Sequence, residues 1–481
     1  TTSGATHADV ITFWNEALLE AVRNEPQGPL KASRAMAMVH AAMYDAVNSV
    51  DRRYYPYHAQ LEAAPGTSKE AAAASAAHRV LTHLFPGQQM SFDSALAQSL
   101  AAIADGLGKA SGISLGEKHG DSIIILRAND GSNVEKPYNP GTNPGEWRPT
   151  PPDFTSALGP GWGNVTPFSM LGGSQFRPPA PPALGRAEYA TAFNEVKALG
   201  AVNSLVRTQE QTEIGYFWAY DRYNMGTPLR LYNQIAQTIA TDQGNTLEEN
   251  ARLFALVNIA MADAGIVTWD AKYTYNFWRP ITAIREADLD GNPFTEADPD
   301  WAPLGAPGGG LVPDFTPPFP AYIAGHSALG AAAFGILADF YGTDDVSFTI
   351  SSDELSGVFR TFDSFSAAAE ENGLSRIYLG VHWSFDDTLG LTAGNQVADW
   401  TFAHELQPVP EPSTFALFSI GILGLLGYSW QRQKQGCEET ARTKCLLTPV
   451  NCPTPTFPCF VASAAPPQLR RIGQIVRVER K

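Results

Sequence analysis

Lys272 and Arg279 are the first pair of residues in this 481-residue chain whose types and spacing point to chemistry. They lie in the aromatic segment WDAKYTYNFWRP and are seven positions apart. Seven residues make two helical turns, so we expect both side chains on one face of one helix, which ends or bends at Pro280. Two cations on one aromatic face favour an anion between them, whereas the same pair alone is also typical of a solvated helix surface.

A second segment, PPFPAYIAGHSALG, predicts that a helix begins at Gly325, His326 and Ser327. The free backbone amides and the dipole at a helix N-terminus favour a bound oxyanion. Histidine is the natural proton donor and acceptor near neutral pH. The segment therefore predicts an oxyanion site with an acid–base group beside it, although His326 alone is also compatible with a structural role.

A third segment, SRIYLGVHWSFDD, holds Arg376, His382 and Asp386. Asp386 follows His382 by four residues, one helical turn, and would accept a hydrogen bond from one ring nitrogen and fix the tautomer. The other nitrogen is then free as a ligand or nucleophile. A purely structural hydrogen bond is the alternative for this pair, but three cations and two histidines in three such segments together predict one anion site.

The elements that position these residues are predicted to be helices. The fold class is mainly α, with stacked helix bundles and long loops, because apolar residues recur at helical spacing and no alternating strand pattern or internal repeat is present. Pro- and Gly-rich composition predicts long loops over 131–182 and 286–318. Helices are predicted over 8–50, 68–84, 90–107, 111–128, 186–199, 208–223, 228–243, 247–269, 326–341, 352–372 and 384–404.

Composition excludes several classes of function. The net charge of −16 argues against a protein that binds nucleic acid. The chain before the tail has no cysteine, which excludes thiol catalysis, iron–sulfur clusters and zinc–thiolate sites there. The acidic segment 288–298 hints at calcium but lacks the regular twelve-residue ligand pattern. The four cysteines all lie near the C-terminus and lack metal-ligand spacing: Cys437, Cys445, Cys452 and Cys459.

The C-terminal part predicts a different organisation from the helical body, 1–406. A Pro-rich linker, 407–413, precedes the uncharged apolar segment 414–430, which is at the short edge of a membrane-spanning length. Basic residues follow it and would remain cytoplasmic. A buried core helix is the alternative for this segment. We expect the basic, cysteine-containing tail, 431–481, to be disordered.

The order Val-Pro-Glu-Pro-Ser, apolar segment, basic cluster resembles the PEP-CTERM protein-sorting signal of exported bacterial proteins. That resemblance implies export to the periplasm or cell surface, anchoring in the membrane through 414–430, and processing by an exosortase-like enzyme. Such signals normally end soon after the basic cluster, whereas this chain continues beyond it. The chain begins at Thr1 without an export signal, which predicts a mature N-terminus from which the signal was removed.

The site residues also form an ordered motif of about 115 residues, K-x6-R-P, then G-H, then S-R-x5-H-x3-D. This order resembles the signature shared by vanadium-dependent haloperoxidases and type 2 phosphatidic-acid phosphatases. The flanking sequences KYTYNFWRP and SRIYLGVHWSFD resemble the chloroperoxidase-like branch of that superfamily. Trp269 and Phe319 match positions where this branch places aromatic residues beside the halide, and bromoperoxidase-type members tend to have histidine in place of Phe319.

The resemblance implies a role for each residue of the motif. His382 would be the axial ligand of vanadate, and Asp386 would orient it. His326 would exchange protons with the apical oxygen. Three cations, together with the amide of Gly325, would hold the equatorial oxygens: Lys272, Arg279 and Arg376. Lys272 would also polarise the bound peroxide.

The implied activity is the vanadate-dependent oxidation of halide, chloride or bromide, by hydrogen peroxide to hypohalous acid, which halogenates an organic acceptor. Because vanadate and a phosphoryl transition state have similar shape and charge, the same site would also serve a phosphomonoester or lipid phosphate hydrolase with His382 as nucleophile. A non-catalytic exported surface protein is the third alternative. The family usually has serine where this chain has Ala324, which removes a hydrogen bond of about 1–3 kcal/mol to an equatorial oxygen.

Overall fold

A computed structural model of the protein describes residues 9–25, 27–222, 224–308, 314–410 and 422–432. The chain divides into two compact units, residues 1–409 and 410–481. In the second unit, residues 422–432 form a helix that exposes Leu423, Leu425 and Leu426. The rest of the predicted apolar segment, and the predicted tail from residue 433 onward with its four cysteines, lie outside the described residues.

Helices are the main secondary structure of the first unit, in agreement with the predicted fold class. Five helices precede the first long loop: α1 Val10–Asn24, α2 Gly28–Asp51, α3 Lys69–Leu84, α4 Gln89–Ala101 and α5 Leu107–Arg127. Eight follow it: α6 Ala187–Leu199, α7 Gln209–Phe217, α8 Pro228–Gln243, α9 Leu247–Tyr275, α10 Pro280–Arg285, α11 Gly325–Tyr341, α12 Phe365–Tyr378 and α13 Ser384–His404. Single 3₁₀ turns lie within the two long loops, at Trp162–Asn164 and Ala287–Leu289.

Helix α9 is the central element of the unit. It packs against α2 on one side and against α11 and α13 on the other, so it is shared by an N-terminal and a C-terminal bundle. Thr246 caps its N-terminus in a capping box with Glu249. In the described part of the chain, α9 alone has the length and hydropathy to cross a membrane, but it is completely buried and is the core helix of the unit.

Small residues allow α11 and α13 to approach closely. A Cβ atom on Gly390 would lie 2.9 Å from the Cβ of Ser327 and 3.0 Å from the carbonyl oxygen of Ala324. A Cβ on Gly394 would lie 2.3 Å from the carbonyl oxygen of Ala328. The two glycines therefore set the distance between two helices that carry predicted site residues.

We expect Gly394→Ala to destabilise the protein by about 1–3 kcal/mol, because the backbone of α11 must shift to accept the added methyl group. Urea unfolding measures this change. Gly172→Ala is the matched control, since a Cβ there meets no atom within 4 Å. Equal free energies of unfolding for wild type and Gly394→Ala would contradict the close contact.

A small antiparallel sheet corrects one predicted helix. Strand β1, Phe348–Ser351, pairs with β2, Phe359–Phe362. The turn and β2 lie where a helix is predicted over 352–372, and α12 begins only at Phe365. Side chains of β1 alternate between buried and exposed, so Phe348 and Ile350 enter the core. The alternation in β1 is only four residues long. The expectation that no alternating strand pattern is present is therefore wrong for this segment.

Other boundaries differ by less. The helix predicted over 8–50 is two helices, since α1 ends at Asn24 and α2 begins at Gly28. The helix predicted over 208–223 ends at Phe217, and the following residues form a loop. The predicted bounds 228–243 and 384–404 agree with α8 and α13.

Candidate functional site

The predicted site residues converge around a cavity of about 330 Å³ in the first unit. Six of them line it: Trp269, Phe319, Gly325, His326, Arg376 and His382. Lys272 and Arg279 are fully buried and contact residues that line the cavity. The three sequence segments therefore meet at one place, as their spacing predicts.

Arg279 reaches the site by a different route from the predicted one. Helix α9 ends at Tyr275, because Asn276 adopts the left-handed conformation with φ of 51°. Arg279 is the N-cap of α10, and Pro280 is at the first helical position, where proline is favoured. The expectation that Lys272 and Arg279 share one helix face is therefore wrong, although their side chains lie close together in space.

His382 lies just before α13, and its ring is held from both sides. Nδ1 donates to Oδ2 of Asp386 at 2.8 Å, and Nε2 accepts from Nη1 of Arg279 at 3.0 Å. Burial, and then Arg279, lower the pKa of His382 well below its usual value, so the ring is neutral. Because Nε2 faces a guanidinium donor, the proton is on Nδ1 and the lone pair on Nε2.

Asp386 fixes this tautomer, as predicted, although its partner precedes the helix and is not one turn along it. Its Oδ2 also accepts from the backbone amide of Trp383 at 3.2 Å, which ties the carboxylate to the first turn of α13. Burial raises the pKa of Asp386 to about 7, against the opposing effect of Lys272. The carboxylate therefore depends on the surrounding cations to remain ionised.

Arg376 is buried and only partly paired. Its Nη2 is 2.8 Å from Oδ2 of Asp221, whereas its Nε and Nη1 have no hydrogen-bond partner among the described residues. Nη2 of Arg279 likewise has none. Buried donors without acceptors are costly, so these three nitrogens indicate a missing acceptor.

Lys272 is held by the chain before α11. Its Nζ donates to the carbonyl oxygens of Pro320, Ala321 and Ile323 at 2.9, 2.9 and 2.6 Å. Burial, and then Arg279, lower the pKa of Lys272 well below its usual value, whereas three acceptors match the three donors of the ammonium form. To contact an anion, Lys272 must release one of these carbonyls.

His326 is the second residue of α11. Its Nε2 is 2.9 Å from the carbonyl oxygen of Ala219, which can only accept, so Nε2 carries the proton and Nδ1 the lone pair. Burial, and then Arg376, lower the pKa of His326 to about 4, which keeps the ring neutral near pH 7. Ala324, at the N-cap, has no side-chain oxygen to cap the first-turn amides. Ser327 is turned away and donates to Asp387 at 2.7 Å.

The two aromatic residues predicted for the halide lie against each other. The ring centroids of Trp269 and Phe319 are 4.9 Å apart. Nζ of Lys272 lies 4.9 Å from the Phe319 centroid, and the guanidinium carbon of Arg279 lies at the same distance. The aromatic wall therefore borders the cationic part of the site.

The residues fit a tetrahedral or trigonal-bipyramidal oxyanion such as vanadate. Three guanidinium nitrogens without partners among the described residues, the imidazole of His382 and the uncapped N-terminus of α11 belong to residues that line the cavity or contact its lining. Three cations are balanced there by only two carboxylates, Asp221 and Asp386. A bound anion of this kind supplies both the acceptor oxygens and the negative charge that the protein lacks.

Sequence reasoning missed the partners that hold the cations and His326. Asp221 is in the segment AYDRYN, which reads as the end of a helix and gives no sign of an ion pair with Arg376. The carbonyl oxygens of Ala219 and of the chain before α11 carry no residue signature at all. Other missed residues of the cavity wall include apolar and aromatic side chains and three polar ones: Pro29, Tyr220, Phe315, Pro317 and Leu329, and Arg222, Asn224 and Thr227.

Comparison with known proteins identifies the family of the chain. A family model for the VCPO second helical-bundle domain matches residues 252–410, and one for the PEP-CTERM protein-sorting motif matches residues 408–433. The vanadium chloroperoxidase of Curvularia inaequalis is 31% identical to this chain, over 79% of each protein.

Solved structures share the fold. The crystal structure of the first bacterial vanadium-dependent iodoperoxidase superposes with a TM-score of 0.70 at 24% identity, over 84% of this chain and 97% of that one. A bacterial vanadium-dependent chloroperoxidase in its holo form gives 0.62 at 17% identity, over 79% and 92%. The chain therefore belongs to the vanadium-dependent haloperoxidases, enzymes whose cofactor is vanadate.

Proposed function

We propose that Nε2 of His382 would hold vanadate in this site. The observation that carries this proposal is the group of three buried, unpaired guanidinium nitrogens beside that imidazole lone pair. Arg279 and Arg376 would hold equatorial oxygens together with the amide of Gly325. Nη1 of Arg279, which now donates to Nε2 of His382, would leave that lone pair to vanadate, and its hydrogen bond to the carbonyl oxygen of Val381 at 2.7 Å would keep it in place.

The bound vanadate supplies a Lewis-acid centre that activates hydrogen peroxide towards halide without a change of oxidation state. His326 would accept and return a proton at Nδ1, because its other nitrogen is held by Ala219. A nearby anion raises the pKa of His326 from about 4, which brings it closer to the range useful for proton transfer. Lys272 would polarise the peroxide after it releases one carbonyl.

We further propose that halide approaches along Trp269 and Phe319, and that both chloride and bromide are oxidised to hypohalous acid. The cations behind Phe319 attract an anion to this wall. The indole nitrogen of Trp269 donates to the carbonyl oxygen of Leu158 at 3.0 Å, which fixes the ring. The remaining cavity, with Phe315 and Leu329 in its wall, suits a small apolar organic acceptor.

For the C-terminal part, we propose that the body 1–406 is exported and that the linker 407–413 joins it to a membrane anchor, 414–430. The matched PEP-CTERM motif supports an exosortase-like processing enzyme as partner, with the product in the periplasm or at the cell surface. The exposed leucines of the helix 422–432 agree with contact to lipid.

The test is bromination and chlorination of monochlorodimedone, assayed beside hydrolysis of p-nitrophenyl phosphate. We expect halogenation that requires both vanadate and hydrogen peroxide. Hydrolysis that vanadate inhibits, without halogenation, would instead support a phosphohydrolase on the same residues. A folded protein with neither activity would support the non-catalytic alternative.

Ala324→Ser should bind vanadate more tightly than the wild type does. The added hydroxyl lies at the N-cap of α11 and offers a further donor to an equatorial oxygen, worth about 1 kcal/mol or roughly fivefold in dissociation constant. Titration of the vanadate-free protein, followed by ⁵¹V NMR, measures the constant. Ala328→Ser, one turn further along α11, is the control and should leave it unchanged. Unchanged or weaker binding by Ala324→Ser would count against the assigned oxygen contacts.

A further inference from the structure

The segment between α7 and α8 carries two contacts of the anion site. Residues 217–222, which we call the site loop, include the carbonyl of Ala219 that accepts from His326. They also include Asp221, whose carboxylate pairs with Arg376. The position of this loop therefore controls both the tautomer of one catalytic group and the orientation of one cation.

The backbone in this region is not self-supporting. Tyr220, in the middle of the site loop, has φ of 47°, a region that residues other than glycine adopt rarely. Such a conformation persists only when surrounding contacts determine it. The site loop therefore needs contacts from another element of the fold.

The turn after β1 supplies them. The hydroxyl of Ser352 donates to the carbonyl oxygen of Phe217 at 2.6 Å, and the amide of Asp353 donates to the hydroxyl of Tyr220 at 2.9 Å. Nη2 of Arg222 donates to the carbonyl oxygen of Asp353 at 3.3 Å. The turn thus contacts the site loop at its beginning, middle and end.

Glu354 makes an ion pair between this turn and the site loop. Its Oε2 lies 2.6 Å from Nε of Arg222, and its side chain is only 3% exposed. Burial raises the pKa of Glu354 to about 7, against the opposing effect of Arg222. Arg222 also lines the cavity, so the pair joins the hairpin turn to the mouth of the site.

We propose that Glu354 is a positioning residue for the vanadate site. It holds Arg222, and through it the site loop, so that Ala219 and Asp221 stay in place on His326 and Arg376. The proposal rests on the proposed vanadate site and extends it to a hairpin that contacts neither the anion nor the substrates.

Glu354→Gln keeps the shape of the side chain and removes the charge of the pair. We expect the dissociation constant for vanadate to rise by about tenfold. That is the lower end of the roughly tenfold to hundredfold range found when a group that orients a metal ligand is removed. Amide hydrogen exchange within 217–222 should also become faster, without vanadate present. Thr349→Val is the control on the same hairpin, because the Thr349 hydroxyl bonds only to that of Thr361, at 2.8 Å on the exposed face.

A double-mutant cycle with Arg222→Gln separates positioning from a general loss of stability. If Glu354 acts through Arg222, the double variant binds vanadate about as weakly as either single variant. Additive losses, wild-type affinity in Glu354→Gln, or an equal loss in Thr349→Val would overturn the proposal. The hydrogen-exchange comparison needs no vanadate, so unchanged exchange refutes the role of Glu354 even where the wild type fails to bind vanadate.

Discussion

His382→Ala is expected to abolish halogenation and to reduce vanadate affinity by more than about a hundredfold. This loss exceeds the roughly tenfold to hundredfold loss of affinity that follows removal of a group that only orients a ligand. The substitution removes the lone pair that Nε2 presents, and Asp386 then loses the group that it orients. Binding is measured by ⁵¹V NMR and activity by bromination of monochlorodimedone.

His40→Ala is the matched control for this experiment. His40 is also a buried histidine, hydrogen-bonded to Asn15 and stacked on Phe254, but it has no contact with the site. We expect it to lower the free energy of unfolding while vanadate affinity stays at the wild-type value. Wild-type binding and turnover in His382→Ala would remove this residue from the role of ligand.

Arg376→Met is expected to have the next largest effect on binding. It removes both unpaired donors, Nε and Nη1, and each charged hydrogen bond to an anion is worth about 1.5–3 kcal/mol. Together they predict a dissociation constant for vanadate that is higher by at least about a hundredfold. Isothermal titration of the variant with vanadate measures this change.

Two further variants test whether the loss of vanadate affinity is specific to the unpaired nitrogens of Arg376. Arg252→Met removes another buried arginine, which packs on Tyr54 and Phe402 away from the site, and should destabilise the protein without weakening vanadate binding. Asp221→Asn keeps Arg376 but loses the ionised partner, so its affinity should fall less than that of Arg376→Met. Near-wild-type affinity in Arg376→Met would mean that its free nitrogens do not face the anion.

Local signals explain the parts of the fold that the sequence predicts well. Helix α8 begins with Pro228 at its first position and ends before Gly244, which has φ of 70°. Both are local features that mark a helix boundary wherever they occur. The same local reasoning does not predict the hairpin of β1 and β2, because four residues of alternation are too few to outweigh the helical pattern around them.

The chemical inventory of the site was also present in the sequence. The types and order of Lys272, Arg279, His326, Arg376 and His382 specify an anion site, because cations and imidazoles in apolar segments have few other uses. Their exact supports were not specified. The seven-residue spacing suggested one helix face, whereas Asn276 ends the helix first and tertiary contacts bring Arg279 back.

The types, order and spacing of the residues predict the class of fold, the residues that line or adjoin the cavity, and the family of the chain. The pairing of Asp221 with Arg376, the main-chain carbonyls that hold Lys272, and the position of Glu354 against the site loop are visible only in the folded chain. The physical reason is that helix periodicity and residue chemistry are encoded locally. Ion pairs and carbonyl contacts between distant segments depend on how helices and loops pack, and packing has no local signature.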